Sequence, residues 1–92
     1  MGGLIKYPFT GRKQPSDFDK ATEPGYYAAS NEISPINAPL QDAAWYGSLI
    51  VTRATGGSGG NPIMQLYFGV YPRKEIRCRQ QWAGSWQDWE TL

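Results

Sequence analysis

The chain lacks histidine, and this absence removes the most common general base of enzymes. Without it, no Ser-His-Asp or Cys-His arrangement can activate a nucleophile. The carboxylates offer no better acid–base pair, since Asp17 and Asp19 suit a helix start, and Asp88 and Glu90 lie on a predicted terminal strand. Zinc lacks ligands, and residues 17–19 alone hold too few oxygens for calcium. We therefore expect a protein that is not an enzyme and that uses no cofactor or metal.

Cysteine and net charge are also scarce. Cys78 is the one cysteine, so an internal disulfide is not possible and the domain can fold in a reducing cytoplasm. Nine Lys and Arg against eight Asp and Glu leave a formal net charge of +1, which gives no broad field to attract nucleic acid or an anionic membrane. No apolar run approaches the length of a membrane span. The sequence predicts neither nucleic-acid binding nor membrane insertion.

Glycine, proline and aromatic residues are abundant instead. The 92 residues include eleven Gly, seven Pro, four Trp, six Tyr and three Phe. This composition favours short strands joined by tight turns over long helices, and the length suffices for one hydrophobic core. We predict a β-rich α+β domain with a small antiparallel sheet of about four to five strands, one short N-terminal helix and long loops.

The chain divides into a connector and one domain. Residues 1–14 show no strand or helix period and are predicted to be an arm or connector, and residues 15–92 are predicted to form the domain. Residues 15–21 begin with a capping residue and acidic side chains, which predicts one or two helical turns. Phe18 would be the buried anchor of this helix, because so short a helix persists only by packing.

Five later segments have the composition of strands. Residues 46–53 are the candidate central strand, since their consecutive aliphatic side chains indicate cover on both faces. Together with residues 63–70 they predict a long hairpin across a Gly-rich loop. The predicted strands are 26–30, 46–53, 63–70, 76–82 and 86–90, the last of them short and at an edge.

Alternation along residues 76–82 separates two sets of side chains. Ile76, Cys78 and Trp82 share one face, and Arg77 and Arg79 point the other way. The two arginines can stabilise a thiolate at Cys78, but its alternation predicts a small, buried apolar residue.

Two loops and several aromatic and basic residues are candidates for recognition. The loop 31–44 is long for a compact domain, and the flexible Gly-rich loop 56–62 lacks the Lys-Ser/Thr of a phosphate-binding loop. A Trp face can stack on nucleobases or cover the apolar side of a sugar ring, and the low net charge favours sugars. A small domain also needs large aromatic residues to fill its core, so we expect at most one or two of the four Trp to be exposed. The candidate ligand-binding residues are Trp82, Trp86, Arg77, Arg79, Asn37 and Tyr71.

The order of several short motifs resembles the pyocin-knob module of tail fibres from R-type pyocins, phages and prophages. The resemblance covers most of the chain, and its most telling part is Gly84, Trp86 and Trp89, which match a terminal Gly-x-Trp-x-x-Trp. The chain departs from the pattern in residues 31–36, in Tyr46 and in a longer Gly-rich loop. The motifs lie at residues 17–19, 22–27, 37–39, 45–51, 64–67, 76–79 and 84–89.

The resemblance implies a non-enzymatic fibre domain, made in the bacterial cytoplasm and carried on the virion or tailocin tail fibre. It implies a homotrimer within the full-length fibre and a bacterial surface glycan, such as lipopolysaccharide, as partner. Three weak sites on one rigid fibre gain strongly through effective concentration. Two alternatives stay open: a structural spacer or trimer-assembly module without receptor contact, and a small carbohydrate-binding module of a protein that degrades surface polysaccharide.

Overall fold

The computed structural model describes residues 11–54 and 62–92, and in these ranges seven strands form one mixed sheet. The strands are β1 Gly11–Arg12, β2 Gly25–Ser30, β3 Tyr46–Arg53, β4 Ile63–Tyr71, β5 Glu75–Trp82, β6 Ser85–Trp86 and β7 Glu90–Thr91. Their order across the sheet follows the chain from β1 to β5, and β6 and β7 both pair with the outer edge of β5. β1 runs parallel to β2, and the other pairings are antiparallel.

A single 3-10 turn, Phe18–Lys20, stands where the sequence predicted a helix. Asp17 caps this turn, accepting a hydrogen bond from the Asp19 backbone N–H at 2.9 Å. The carbonyls of Phe18 and Ala21 accept hydrogen bonds from the Gln65 side chain, so tertiary contacts satisfy groups that a longer helix would use. The predicted α+β class is wrong for this reason, since the described residues hold no α-helix. No helix in this part of the chain is long and apolar enough to cross a membrane.

The predicted count of four to five strands is also wrong, for two local reasons. Gly11–Arg12 of the predicted connector adds the parallel strand β1, where Arg12 Nε also donates to the Pro24 carbonyl at 3.0 Å. The predicted terminal strand 86–90 is broken into β6 and β7. Residues 1–10 of the predicted connector lie outside the described residues, as do residues 55–61 of the Gly-rich loop region.

The predicted long hairpin is present as β3 and β4. Its register runs from Arg53 opposite Ile63 to Gly47 opposite Gly69, after which a bulge brings Tyr46 opposite Tyr71. A Cβ at Gly47 would stand 2.4 Å from the Phe68 carbonyl oxygen and 2.6 Å from the Tyr67 ring. Only glycine leaves room here for the aromatic ring that crosses the strand.

One face of the sheet, which we call the covered face, carries the core. Tyr27, Leu49, Val51, Ile63 and Tyr67 project from it and are buried. The connecting segments cross over this face and bury Phe18, Ala21, Ala38, Leu40 and Trp45 against it.

Aromatic rings dominate the packing of this core. Phe18 is fully buried, in agreement with its predicted role as an anchor, and its ring centroid lies 6.2 Å from that of Trp45 and 6.3 Å from that of Trp89. Trp45 meets Tyr67 edge-on at 5.6 Å. Edge-to-face pairs at these distances add to the stabilisation from buried area. Burial also raises the pKa of the Tyr67 phenol to about 12.

No described segment crosses the opposite face, which we call the open face. The pairing registers place on it only neutral side chains, and most of these are apolar. Cys78 is buried here but does not belong to the core cluster. The open face consists of Tyr26, Ala28, Ser30, Tyr46, Ser48, Ile50, Thr52, Met64, Leu66, Phe68, Val70, Ile76, Cys78, Gln80 and Trp82.

Candidate binding site

The candidate ligand-binding residues do not meet at one place. Arg77, Arg79 and Trp86 project from the covered face, and Asn37 lies in the loop that crosses that face. Tyr71 ends β4 at one end of the sheet. Trp82 ends β5 at the other end and lies on the open face, together with Ile76 and Cys78 as alternation predicted.

Arg79 is the centre of a buried polar network. Its side chain is 5% exposed, its Nε donates to Gln65 Oε1 at 2.8 Å, and its Nη2 lies 3.0 Å from Asp19 Oδ1. The guanidinium carbon lies 4.1 Å from the Trp86 ring centroid and 4.8 Å from that of Trp89, so the group is sandwiched between two rings. Desolvation lowers the pKa of Arg79, and Asp19 opposes that shift. This enclosure leaves Arg79 little surface to offer to a ligand.

The path of the chain between β6 and β7 explains why both tryptophans of the Trp-x-x-Trp motif contact Arg79. A spacing of three places Trp86 and Trp89 on opposite faces of a regular strand. Between β6 and β7, however, three residues (87–89) stand opposite two residues of β5 (79–80). This extra residue turns both rings to the covered face, where they enclose Arg79. The two tryptophans of the terminal motif therefore pack against the edge of the core.

Asn37 and Arg77 also hold the loop against the sheet. Asn37 has a positive φ of 59°, its Nδ2 donates to Asp17 Oδ1 at 2.9 Å, and its carbonyl accepts from Trp89 Nε1 at 3.1 Å. The hydrogen bond from Asn37, followed by that from the Asp19 N–H, lowers the pKa of Asp17. Arg77 Nη1 donates to the Pro39 carbonyl at 2.8 Å. Both side chains are engaged within the domain.

An exposed tyrosine pair marks the end of the sheet at which Tyr71 lies. Tyr71 is 55% exposed and Tyr46 is 43% exposed, and their ring centroids are 6.2 Å apart at an interplanar angle of 48°. The bulge in the β3–β4 hairpin brings the two residues opposite each other. Tyr46 was not among the candidate residues, although the predicted hairpin, continued outward, brings it close to Tyr71.

A polar cleft of about 270 Å³ lies in the loop at this same end. Asn31 organises it, since its Nδ2 donates to the Ala43 carbonyl and its Oδ1 accepts from the Trp45 N–H at 3.2 Å. Asp42 pairs with Arg73 at 3.5 Å, which ties the cleft to the turn after Tyr71. The cleft is lined by Asn31, Ser34, Pro35, Leu40, Gln41, Asp42, Ala43 and Trp45. Amide, hydroxyl and carboxylate groups here suit the hydroxyls of a sugar.

The predicted recognition loop 31–44 supplies nearly all of this cleft. The other predicted loop, 56–62, lies outside the described residues apart from Pro62. The part of the chain that the structure describes has no group of three or more His, Cys, Asp or Glu side chains placed to hold a metal.

We call the tyrosine pair, the polar cleft and Arg73 the loop-end site.

Comparisons of the chain with family models, with curated proteins and with solved structures find no significant match.

Proposed function

We propose that this domain is a non-enzymatic module of a phage or tailocin tail fibre and that it binds a bacterial surface glycan, such as lipopolysaccharide, at the loop-end site. The observation that carries the glycan part is the exposed Tyr46–Tyr71 pair at the same end of the sheet as a polar cleft. The order of the sequence motifs, which resembles that of the pyocin-knob module, supports the assignment to a tail fibre.

The chemistry of the loop-end site fits a sugar chain. Aromatic rings cover the apolar side of a pyranose, and fixed polar groups beside them bond its hydroxyls. Arg73, which is half exposed, is paired with Asp42 and Glu75, and its remaining N–H groups can donate to a hydroxyl or phosphate oxygen of the glycan. Each such contact is weak, and three copies on one fibre would multiply it.

The test is binding of the domain, fused to a trimerising stem, to a panel of Gram-negative cells and their purified lipopolysaccharides. We expect saturable, strain-selective binding. Tyr71→Ala should reduce affinity by roughly fivefold per copy, from about 1 kcal/mol of lost aromatic contact, and by more in the trimer.

Tyr26→Ala is the matched control, because Tyr26 is exposed to a similar degree but lies opposite Ile50, away from the loop end of the sheet. The proposal fails if no strain binds the fusion, or if Tyr71→Ala binds as the parent does while both variants stay folded.

A second candidate, a spacer or assembly module of the fibre, is favoured by the open face. A sheet face of neutral, largely apolar side chains without a covering segment is typical of a contact surface. This function predicts no glycan binding by the domain, and defective fibre assembly when residues of the open face are changed.

A further inference from the structure

The open face has the size and the electrostatic character of a contact between identical chains. Four strands, β2 to β5, span about 19 Å at the usual strand spacing, and their mean length gives about 25 Å along the chain. Two such faces together cover about 1,000 Å², which is the lower limit for a specific protein interface. The pairing registers of β2 to β5 place no charged side chain on the face, so the strands of two copies can approach without like-charge repulsion.

A groove lies at one end of this face. It has a volume of about 470 Å³ and is lined by the apolar side chains of Phe68, Val70 and Ile76, together with Gly69, Lys74 and Glu75. The bulge that pairs Tyr46 with Tyr71 leaves Val70 without a partner in β3, and Val70 is 70% exposed. This volume lies in the range of pockets that enclose an organic group.

A large aromatic side chain lies at the other end of the same face. Trp82 is 54% exposed, and its side chain makes no hydrogen bond or ring contact to any other described residue. It follows Ile76 by six residues on β5, which places the two about 20 Å apart. Trp82 therefore cannot reach the groove of its own chain.

We infer that Trp82 of one copy inserts into the Phe68–Val70–Ile76 groove of a second copy of this chain. Two open faces can meet about a two-fold axis that lies between the sheets and runs perpendicular to the strands. The two β5 strands are then antiparallel, and each Trp82 lies over the groove of the other copy. The contact does not depend on glycan recognition at the loop-end site.

The primary test is sedimentation velocity of the full chain from low to high micromolar concentration. The wild-type chain should associate to a dimer. Trp82→Ala removes the inserted ring, and Val70→Lys places a charge in the groove at an exposed position, so each variant alone should remain monomeric.

Ile33→Lys is the matched control, because Ile33 is 52% exposed but lies in the loop over the covered face. It should associate as the wild type does. Circular dichroism and thermal unfolding would verify that each variant is folded.

A mixture of the two variants gives a sharper result. Trp82→Ala retains the groove and Val70→Lys retains the ring, so a mixed complex has one intact contact although neither variant has any by itself. Association in the mixture alone supports the inference. A wild-type chain that stays monomeric at every concentration, or a Trp82→Ala chain that associates as tightly as the wild type, overturns it.

Discussion

The covered face and the open face of this one sheet differ in how their side chains find partners. On the covered face, Arg79 and Gln65 are buried, and the two partly buried tryptophans of the terminal motif pack on Arg79. On the open face, Trp82 has no such partner among the described residues. An aromatic or basic residue type therefore does not indicate a binding role until the face that the residue occupies is known.

The largest expected effect comes from removing the centre of the covered-face network. Arg79→Met takes away the ion pair with Asp19 and the hydrogen bond to Gln65, and it leaves the Gln65 carbonyl oxygen buried without its donor. We expect a loss of about 3 kcal/mol in the free energy of unfolding, measured by urea denaturation.

Gln80→Met is the control, since Gln80 is the next residue on β5, is exposed and belongs to the open face. It should change stability by less than about 0.5 kcal/mol. Equal effects of the two substitutions would contradict the distinction between the faces.

A smaller loss follows from crowding the covered face at Gly47. Gly47→Ala forces a methyl group against the Tyr67 ring and the Phe68 carbonyl, which should cost about 2 kcal/mol. Ser48→Ala, one residue later and on the open face, should be close to neutral. Thermal unfolding of both variants checks the difference, and a neutral Gly47→Ala would mean that the hairpin does not pack as described.

The smallest expected effect is a pH dependence at the loop that crosses the covered face. The folded-state pKa of Asp17 lies below its ordinary value of 3.8, so its stabilisation is fully present above that value and is lost as the pH falls through the folded pKa. Asn37→Gly keeps a residue that tolerates positive φ but removes the donor. It should raise the Asp17 pKa, as followed by carboxyl carbon NMR.

Ser34→Gly provides the comparison for this variant. Ser34 also has a positive φ, and its backbone N–H bonds to Asn31, away from Asp17. This substitution should leave the Asp17 titration unchanged. An unaltered Asp17 pKa in Asn37→Gly would show that the hydrogen bond from Asn37 does not cause the shift.

The central strands of the sheet could be predicted from their residue composition and alternation. The runs of aliphatic and aromatic residues in β3 and β4 located the central hairpin, and alternation grouped Ile76, Cys78 and Trp82 correctly. Alternation cannot tell which group faces the core, because that depends on which side the loop 31–44 crosses. The short strands β1, β6 and β7 depend on pairing with distant segments, and a pair of residues has no period to detect.

The binding residues were harder to predict than the strands. The predicted recognition loop supplies the polar cleft, since its length and its lack of periodicity are visible in the sequence. Arg79 and Trp86 have the composition of a sugar site, but the extra residue between β6 and β7 turns them into a core cluster. Tyr46 follows the buried Trp45 directly, and only the hairpin register shows that it meets Tyr71.

The most direct test of glycan binding at the loop-end site is an NMR titration of the domain with an oligosaccharide from lipopolysaccharide of a strain that the fused domain binds. We predict shift changes at Tyr46, Tyr71 and Asn31, with the indole N–H signals of Trp86 and Trp89 unmoved because these rings enclose Arg79. Changes that cluster at Trp86, Trp89 and Arg79, with none at the tyrosine pair, would contradict it.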